Sequence, residues 1–137
     1  MNAPKKKHLP ALQEEWLIHA YSDLNLARLG RESRDVLPQQ ICFHAQQVVE
    51  KAFKAVLLFS RVEFPLTHDI EELIDIFNKA DIPLPSDFLE AGILTPYAVE
   101  TRYPGYWGEI TEQDVTEALG FAEKIVKWAE EYITKNE

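Results

Sequence analysis

Polar side chains that can bind a nucleotide or another anionic ligand recur at helical spacing near the middle of the sequence. In order, they are His44, Gln47, Lys51 and Lys54. An α-helix advances about 100° per residue, so intervals of three and four residues place these side chains on one stripe beside the apolar face. An imidazole, an amide and two ammonium groups suit contact with a phosphate, a carboxylate or the edge of a base. This stripe is the first candidate binding surface.

The same stripe has a purely structural interpretation. Lys51 and Lys54 are then ordinary solvated charges, and Glu50 pairs with Lys54 one helical turn away. Composition and spacing favour this interpretation for the two lysines, whereas for His44 and Gln47 the two interpretations are evenly balanced.

A second group of candidate residues lies between positions 97 and 107. This stretch holds Arg102, three tyrosines including Tyr103, and a tryptophan, together with a proline and a glycine that favour a loop. Arginine beside aromatic rings can hold a base or a phosphate. The alternative is that these rings close one end of a helical bundle while Arg102 pairs with an acid. Composition alone leaves both open.

Charge limits where a nucleic-acid site can lie. The formal net charge is -9, which argues against a general nucleic-acid coat protein, because such proteins bind by neutralising phosphates. Residues 1–68 carry nine Lys/Arg against seven Asp/Glu, whereas residues 69–100 carry one against eight and residues 109–137 carry three against eight. A local basic groove therefore belongs to the N-terminal half together with Arg102.

The sequence gives little support for a metal site, a cofactor site or a disulfide. The four histidines share no metal-ligand spacing, and no paired cysteines exist, so neither a metal nor a cofactor is expected. The single cysteine, Cys42, excludes an internal disulfide and is expected to be a small core residue. We expect a cytoplasmic protein, since neither a secretory signal nor an apolar run of membrane-spanning length is visible.

The elements that must position these residues are helices. Apolar spacing predicts a first helix from Gln13 to about Leu29, ended by Gly30. Pro38, tolerated in a first helical turn, precedes the strongest helix, from Gln39 to about Ser60.

Three further helices are predicted in the second half of the chain. Thr67 is predicted to cap a short helix over 68–80, and residues 87–98 form a fourth helix, irregular near Pro96. Thr111, with an acid three residues later, resembles a capping box that opens the last helix. The face of that helix predicted to be buried comprises Val115, Ala118, Leu119, Ala122, Ile125, Val126, Ala129 and Ile133.

These elements predict an all-α, up-and-down bundle of four to five helices. One domain over 13–134 follows a flexible N-terminus over 1–12. The apolar faces of the second and last helices are suitable for a subunit interface, although the intramolecular core alone accounts for them. Asp23 falls on the apolar side of the first helix and needs a partner if buried, for which a lysine or arginine from another helix is expected.

The run from Cys42 to Leu57, CFHAQQVVEKAFKAVL, resembles the second-helix signature of HEPN domains. The early AYSDL with Ala27, the pair Thr67-His68 before a short helix, and Arg102-Tyr103-Pro104 follow in the family's order. The resemblance covers roughly residues 13 to 134. It implies a bundle of about five helices, a homodimer, and a partnership with a minimal nucleotidyltransferase, often as toxin and antitoxin.

Many HEPN proteins are metal-independent ribonucleases that use an arginine followed, after four to six residues, by a histidine. In this sequence the positions at that spacing after Arg102 are Trp107, Gly108 and Glu109. The missing histidine argues against nuclease activity. Arg61 and His68 satisfy the spacing literally, but they lie earlier in the chain than the family's motif, and His68 is better explained as part of a helix start.

The sequence therefore predicts a non-catalytic HEPN binding module, acting as a homodimer in a toxin–antitoxin-like system. Its nucleotide or RNA groove is predicted to comprise His44, Gln47, Lys51, Arg102 and Tyr103. One alternative is a HEPN endoribonuclease toxin with a divergent site. Another is a structural partner subunit of the nucleotidyltransferase with no ligand of its own.

Overall fold

The computed structural model of the chain describes residues 12–98 and 108–137. Within these ranges all regular structure is helical, which confirms the all-α prediction. The elements are α1 (Gln13–Arg31), α2 (Pro38–Phe59), α3 (Ile70–Lys79), a 3-10 segment (Ser86–Ala98) and α4 (Glu112–Asn136). Among the described helices, none combines the length and the apolar character needed to cross a membrane.

Helix α2 is the central element of the bundle. It packs most extensively against α1 and α4, and it also contacts α3 and the 3-10 segment. Thirteen of its residues are buried, so it has contacts on nearly every side rather than a single apolar stripe. Polar side chains on such a helix are therefore held by neighbouring elements.

Two predicted helix starts are confirmed. Pro38 is the first residue of α2, where its fixed φ and missing N–H cost nothing. At the start of α4, the Thr111 hydroxyl accepts a hydrogen bond from the Asp114 backbone N–H, and the Asp114 carboxylate accepts one from the Thr111 N–H. All eight α4 residues predicted to face the core are buried.

Two predicted helix boundaries are wrong. Gly30 does not end α1 but lies buried inside its last turn; a Cβ there would lie 3.0 Å from a Val36 methyl carbon, so glycine serves close packing rather than termination. Thr67 does not cap α3. The cap is Asp69, whose carboxylate accepts hydrogen bonds from the backbone N–H groups of Glu71 and Glu72.

The predicted fourth helix is present, and it is a 3-10 helix. Three of its five buried residues, Phe88, Ala91 and Leu94, recur every three positions, which matches the three residues per turn of a 3-10 helix. The segment also runs close to α3: a Cβ on Gly92 would meet the Glu71 side chain at 2.3 Å. The Thr95 hydroxyl accepts a hydrogen bond from the Ile70 backbone N–H, which ties the two elements together.

Candidate functional site

One carboxylate on α1 organises two of the candidate side chains on α2. Asp23 Oδ1 lies 3.0 Å from His44 Nδ1, and Asp23 Oδ2 lies 2.7 Å from Lys51 Nζ. The side chain of Asp23 is 13% exposed, and those of His44 and Lys51 are 24% and 22% exposed. The expectation that Asp23 takes a cationic partner from another helix is confirmed. The two α2 side chains are thus fixed in place while part of each remains accessible.

A second, buried network lies on the α3 side of the same helix. Glu50 accepts hydrogen bonds from Gln46 Nε2 at 3.1 Å, from Lys54 Nζ at 2.8 Å and from His68 Nδ1 at 3.0 Å. Gln47 connects it to the exposed stripe, because its Nε2 lies 2.7 Å from Gln46 Oε1 and 3.4 Å from Glu50 Oε1. The stripe therefore rests on buried polar groups that all have partners.

Lys54 departs from the structural interpretation in one respect. Its pairing with Glu50 is confirmed, but its side chain is only 6% exposed, so it is not a solvated charge. Its ammonium group also donates to the Thr67 backbone carbonyl at 2.8 Å and lies 5.6 Å from the centre of the Trp16 ring. Lys54 consequently fixes the connection between α2 and α3 and does not belong to the accessible stripe.

The Glu50–His68 pair is a site feature that sequence reasoning did not identify. The imidazole of His68 is 60% exposed, whereas the carboxylate side chain that holds it is 4% exposed. Because Nδ1 faces Glu50, the other ring nitrogen, Nε2, is left for contacts outside this pair. The four-residue spacing of Gln46, Glu50 and Lys54 signals a shared helix face, but the sequence does not show that His68 returns to it.

Arg61 and His68 occupy different surroundings. Arg61 follows α2 with a left-handed backbone (φ 62°), and its side chain lines a cleft with Trp16 and Phe64. The His68 ring instead binds Glu50. The structure supplies no contact that joins the two residues into one site.

Arg102 and Tyr103, the remaining predicted site residues, lie outside the described residues. The residues that flank the segment 99–107 are attached near the start of α2 and the end of α1. Before it, the Tyr97 hydroxyl hydrogen-bonds the Cys42 thiol. After it, Arg31 of α1 binds Glu112 in the first turn of α4. This is the end of the bundle at which His44 lies, two residues beyond Cys42.

Cys42 is predicted to be unreactive. The thiol is buried, as expected of a small core residue, and burial raises its pKa to about 11. Because the thiolate is the nucleophile, a thiol-specific disulfide reagent at pH 8 is expected to leave folded Cys42 unmodified and to react at once after denaturation. Mass spectrometry measures the modification, and rapid modification of the folded protein would contradict the burial of this thiol.

The same shift gives a pH dependence of stability. The unfolded thiol loses its proton near pH 9 and the folded one near pH 11. The contribution of this thiol to the free energy of unfolding is therefore retained below pH 9 and is lost as pH rises from 9 to 11, by about 3 kcal/mol in total. Urea unfolding across this range should show that Cys42→Ala lacks this part of the decline. Equal declines in both proteins would argue against the shift.

Comparison of the chain with known protein families identifies the family to which this helical bundle belongs. The family model of the HEPN domain matches residues 13–132. The chain belongs to the HEPN domain family. The resemblance carried by the α2 signature is thereby confirmed.

Two solved structures share this HEPN fold. The crystal structure of ST0689, an archaeal HEPN homologue, has 28% sequence identity and a TM-score of 0.72, covering 90% of this chain and 99% of that one. The crystal structure of TT1696 from Thermus thermophilus has 32% identity and a TM-score of 0.67, covering 87% and 96% of the two chains. Among curated proteins, none matches the chain.

Proposed function

We propose that this HEPN domain is a binding module for RNA or nucleotides, and that its ligand lies along the stripe formed by His44, Gln47 and Lys51. The observation that carries the proposal is the double contact made by Asp23. A single carboxylate holds both an imidazole and an ammonium group at a partly exposed surface, so these groups are oriented before a ligand arrives. Such preorganisation reduces the conformational entropy that is lost on binding.

The charge of this surface indicates how it would bind. Lys51 is balanced by Asp23, and Lys54 is balanced by Glu50. The stripe therefore offers directional hydrogen bonds rather than a large positive potential, which agrees with the acidic total of the chain. Lys51 has three N–H donors, of which one is directed at Asp23, and this leaves donors for a phosphate oxygen or a base carbonyl.

Arg102 and Tyr103 complete the proposed groove. The residues on either side of their segment are fixed at the end of the bundle that carries His44, which supports their assignment to the same surface. Arg102 would supply a guanidinium group beyond the balanced charges of the stripe, and Tyr103 a ring on which a base can stack. Since no histidine follows Arg102 at the family's spacing, we propose binding without cleavage at this position.

The test is a fluorescence-anisotropy titration with a short single-stranded RNA and, separately, with nucleoside monophosphates. The protein is compared with Arg102→Ala and with Lys127→Ala, a control that removes an exposed lysine on α4. We expect Arg102→Ala to weaken RNA binding by about tenfold, since loss of a good phosphate or base contact costs about 1–3 kcal/mol, while Lys127→Ala leaves it unchanged. Equal, weak binding by all three proteins would remove the site.

We also propose that the module acts as a homodimer with a minimal nucleotidyltransferase in a toxin–antitoxin-like system. Support for a protein interface comes from α1, where Leu26 and Leu29 are 49% and 67% exposed. Leu26 and Leu29 line a cleft of about 360 Å³ that reaches His44. Light scattering of the purified chain and of Leu29→Glu tests the dimer: a monomeric wild type contradicts it.

Co-purification with the product of a neighbouring nucleotidyltransferase gene tests the proposed partnership with the nucleotidyltransferase.

An endoribonuclease is the second candidate function, favoured by the Glu50–His68 pair. A carboxylate that orients an imidazole through Nδ1 leaves Nε2 able to exchange a proton with a substrate. This hypothesis predicts that expression arrests growth and degrades RNA, and that His68→Ala removes both effects while the purified variant remains folded. Absence of RNA decay with the wild-type protein would leave the binding module as the sole proposal.

A further inference from the structure

A cleft between α1 and α2 adjoins the proposed groove at its Lys51 end. It has a volume of about 370 Å³ and is lined by Glu15, Trp16, Ile18, His19 and Lys51. Its size lies within the range of small-molecule sites, which are typically apolar with a few polar groups that fix orientation. Lys51 is shared with the stripe, and His44 lies seven residues, or about 10 Å, further along α2. The cleft is therefore continuous with the surface assigned to RNA.

The polar groups of this cleft retain unused hydrogen-bonding capacity. Glu15 accepts one hydrogen bond from the Leu12 backbone N–H through Oε1 at 3.1 Å, and a carboxylate can accept several. Lys51 donates to Asp23 and keeps two further donors. His19 is exposed, and no hydrogen bond or ion pair joins it to another residue within 12–98 or 108–137. An acceptor, a donor and an aromatic ring thus meet at one opening.

Charge decides which part of an RNA chain fits there. The ammonium group of Lys51 lines the cleft together with the carboxylate of Glu15, and its charge is already paired with the carboxylate of Asp23. A phosphate is disfavoured by this balance, whereas a neutral planar group with both donors and acceptors is suited to it. Trp16 and His19, three residues apart on α1, supply ring surface of the kind on which bases stack in single-stranded RNA complexes.

Among the bases, guanine matches these groups best. Its N1–H and N2–H donors lie side by side and can both be accepted by one carboxylate, while its O6 is an acceptor for lysine. Adenine and uracil do not combine two adjacent donors with a neighbouring acceptor on one edge. We propose that the cleft binds a single guanine base of single-stranded RNA, with Glu15 on its donor edge and Lys51 on O6. This inference rests on the proposed function of the adjoining stripe.

The experiment compares a labelled short oligouridine with the same oligomer carrying one central guanosine, by fluorescence anisotropy. We expect the guanosine to tighten binding by about tenfold, the discrimination typical of a good base contact. Glu15→Gln should abolish this preference and leave oligouridine binding unchanged; its amide oxygen can still accept the Leu12 hydrogen bond, so the helix start is preserved. Glu14→Gln removes the neighbouring exposed carboxylate, which does not line this cleft, and should keep the preference.

Each result is decisive. Equal binding of the two oligomers, or a preference that survives Glu15→Gln, overturns the guanine site while RNA binding by the stripe stands. A preference for adenosine or cytidine inserted at the same position overturns it as well. If neither oligomer binds, the proposed function itself fails, and the inference fails with it. Thermal unfolding of both variants, with melting temperatures close to that of the wild type, confirms that the comparison is between folded proteins.

Discussion

Replacing Glu50 with alanine is expected to lower the free energy of unfolding by about 3–5 kcal/mol, the cost of removing one partner from a buried ion pair. Glu50 is 3% exposed and accepts hydrogen bonds from Gln46, Lys54 and His68. Without it, the ammonium group of Lys54 stays buried with a backbone carbonyl of Thr67 as its remaining hydrogen-bond acceptor. Urea unfolding followed by far-ultraviolet circular dichroism measures the loss.

A surface ion pair supplies the control. Glu123 binds Arg28 at 3.1 Å, but both side chains are about half exposed, so Glu123→Ala should cost no more than about 1 kcal/mol. The substitution Glu50→Gln keeps the size and one acceptor and is expected to fall between the two alanine variants. If Glu50→Ala and Glu123→Ala were equally stable, the network between α2 and α3 would not stabilise the fold as described.

The second large effect is expected at Phe53. Its side chain is fully buried in the C-terminal half of α2, with ring centroids 5.2 Å from Phe77 of α3 and 6.3 Å from Trp128 of α4. Phe53→Ala leaves a cavity that three helices cannot close by small shifts, so we expect a loss of about 3–5 kcal/mol. Leu66→Ala, at a position exposed to solvent, should stay within about 0.5 kcal/mol of the wild type. A small loss at Phe53 would show that the core repacks or that α2 is not its centre.

Much of the fold was predictable because the periodicity of apolar residues records which helix faces are buried. In α4 the predicted buried face and the Thr111 cap both agree with the structure. The start of α3 was misplaced by two residues, since Thr67 and Asp69 are both good capping residues and only the backbone geometry selects Asp69. The sequence predicts the fourth helix but not that it is a 3-10 helix, because a few apolar residues cannot distinguish a period of three from one of 3.6.

The candidate site was less predictable, because its geometry depends on contacts between distant parts of the chain. Helical spacing placed His44, Gln47 and Lys51 together and required a partner for Asp23. It did not indicate that Asp23 holds both His44 and Lys51, nor that His68 reaches Glu50, 18 residues earlier in the chain. Lys54 and Lys51 are also both lysines on the same stripe, and only the packing of other elements makes Lys54 buried while Lys51 stays accessible.

The most direct test of RNA or nucleotide binding on the α2 stripe is a nitrogen–proton NMR titration with a short single-stranded RNA. We expect the largest shift changes at the backbone amides of His44, Gln47 and Lys51 and at the side-chain amide of Gln47, with α3 and the exposed face of α4 unaffected. Changes confined to α3 and α4, or no changes anywhere at saturating RNA, would contradict the account.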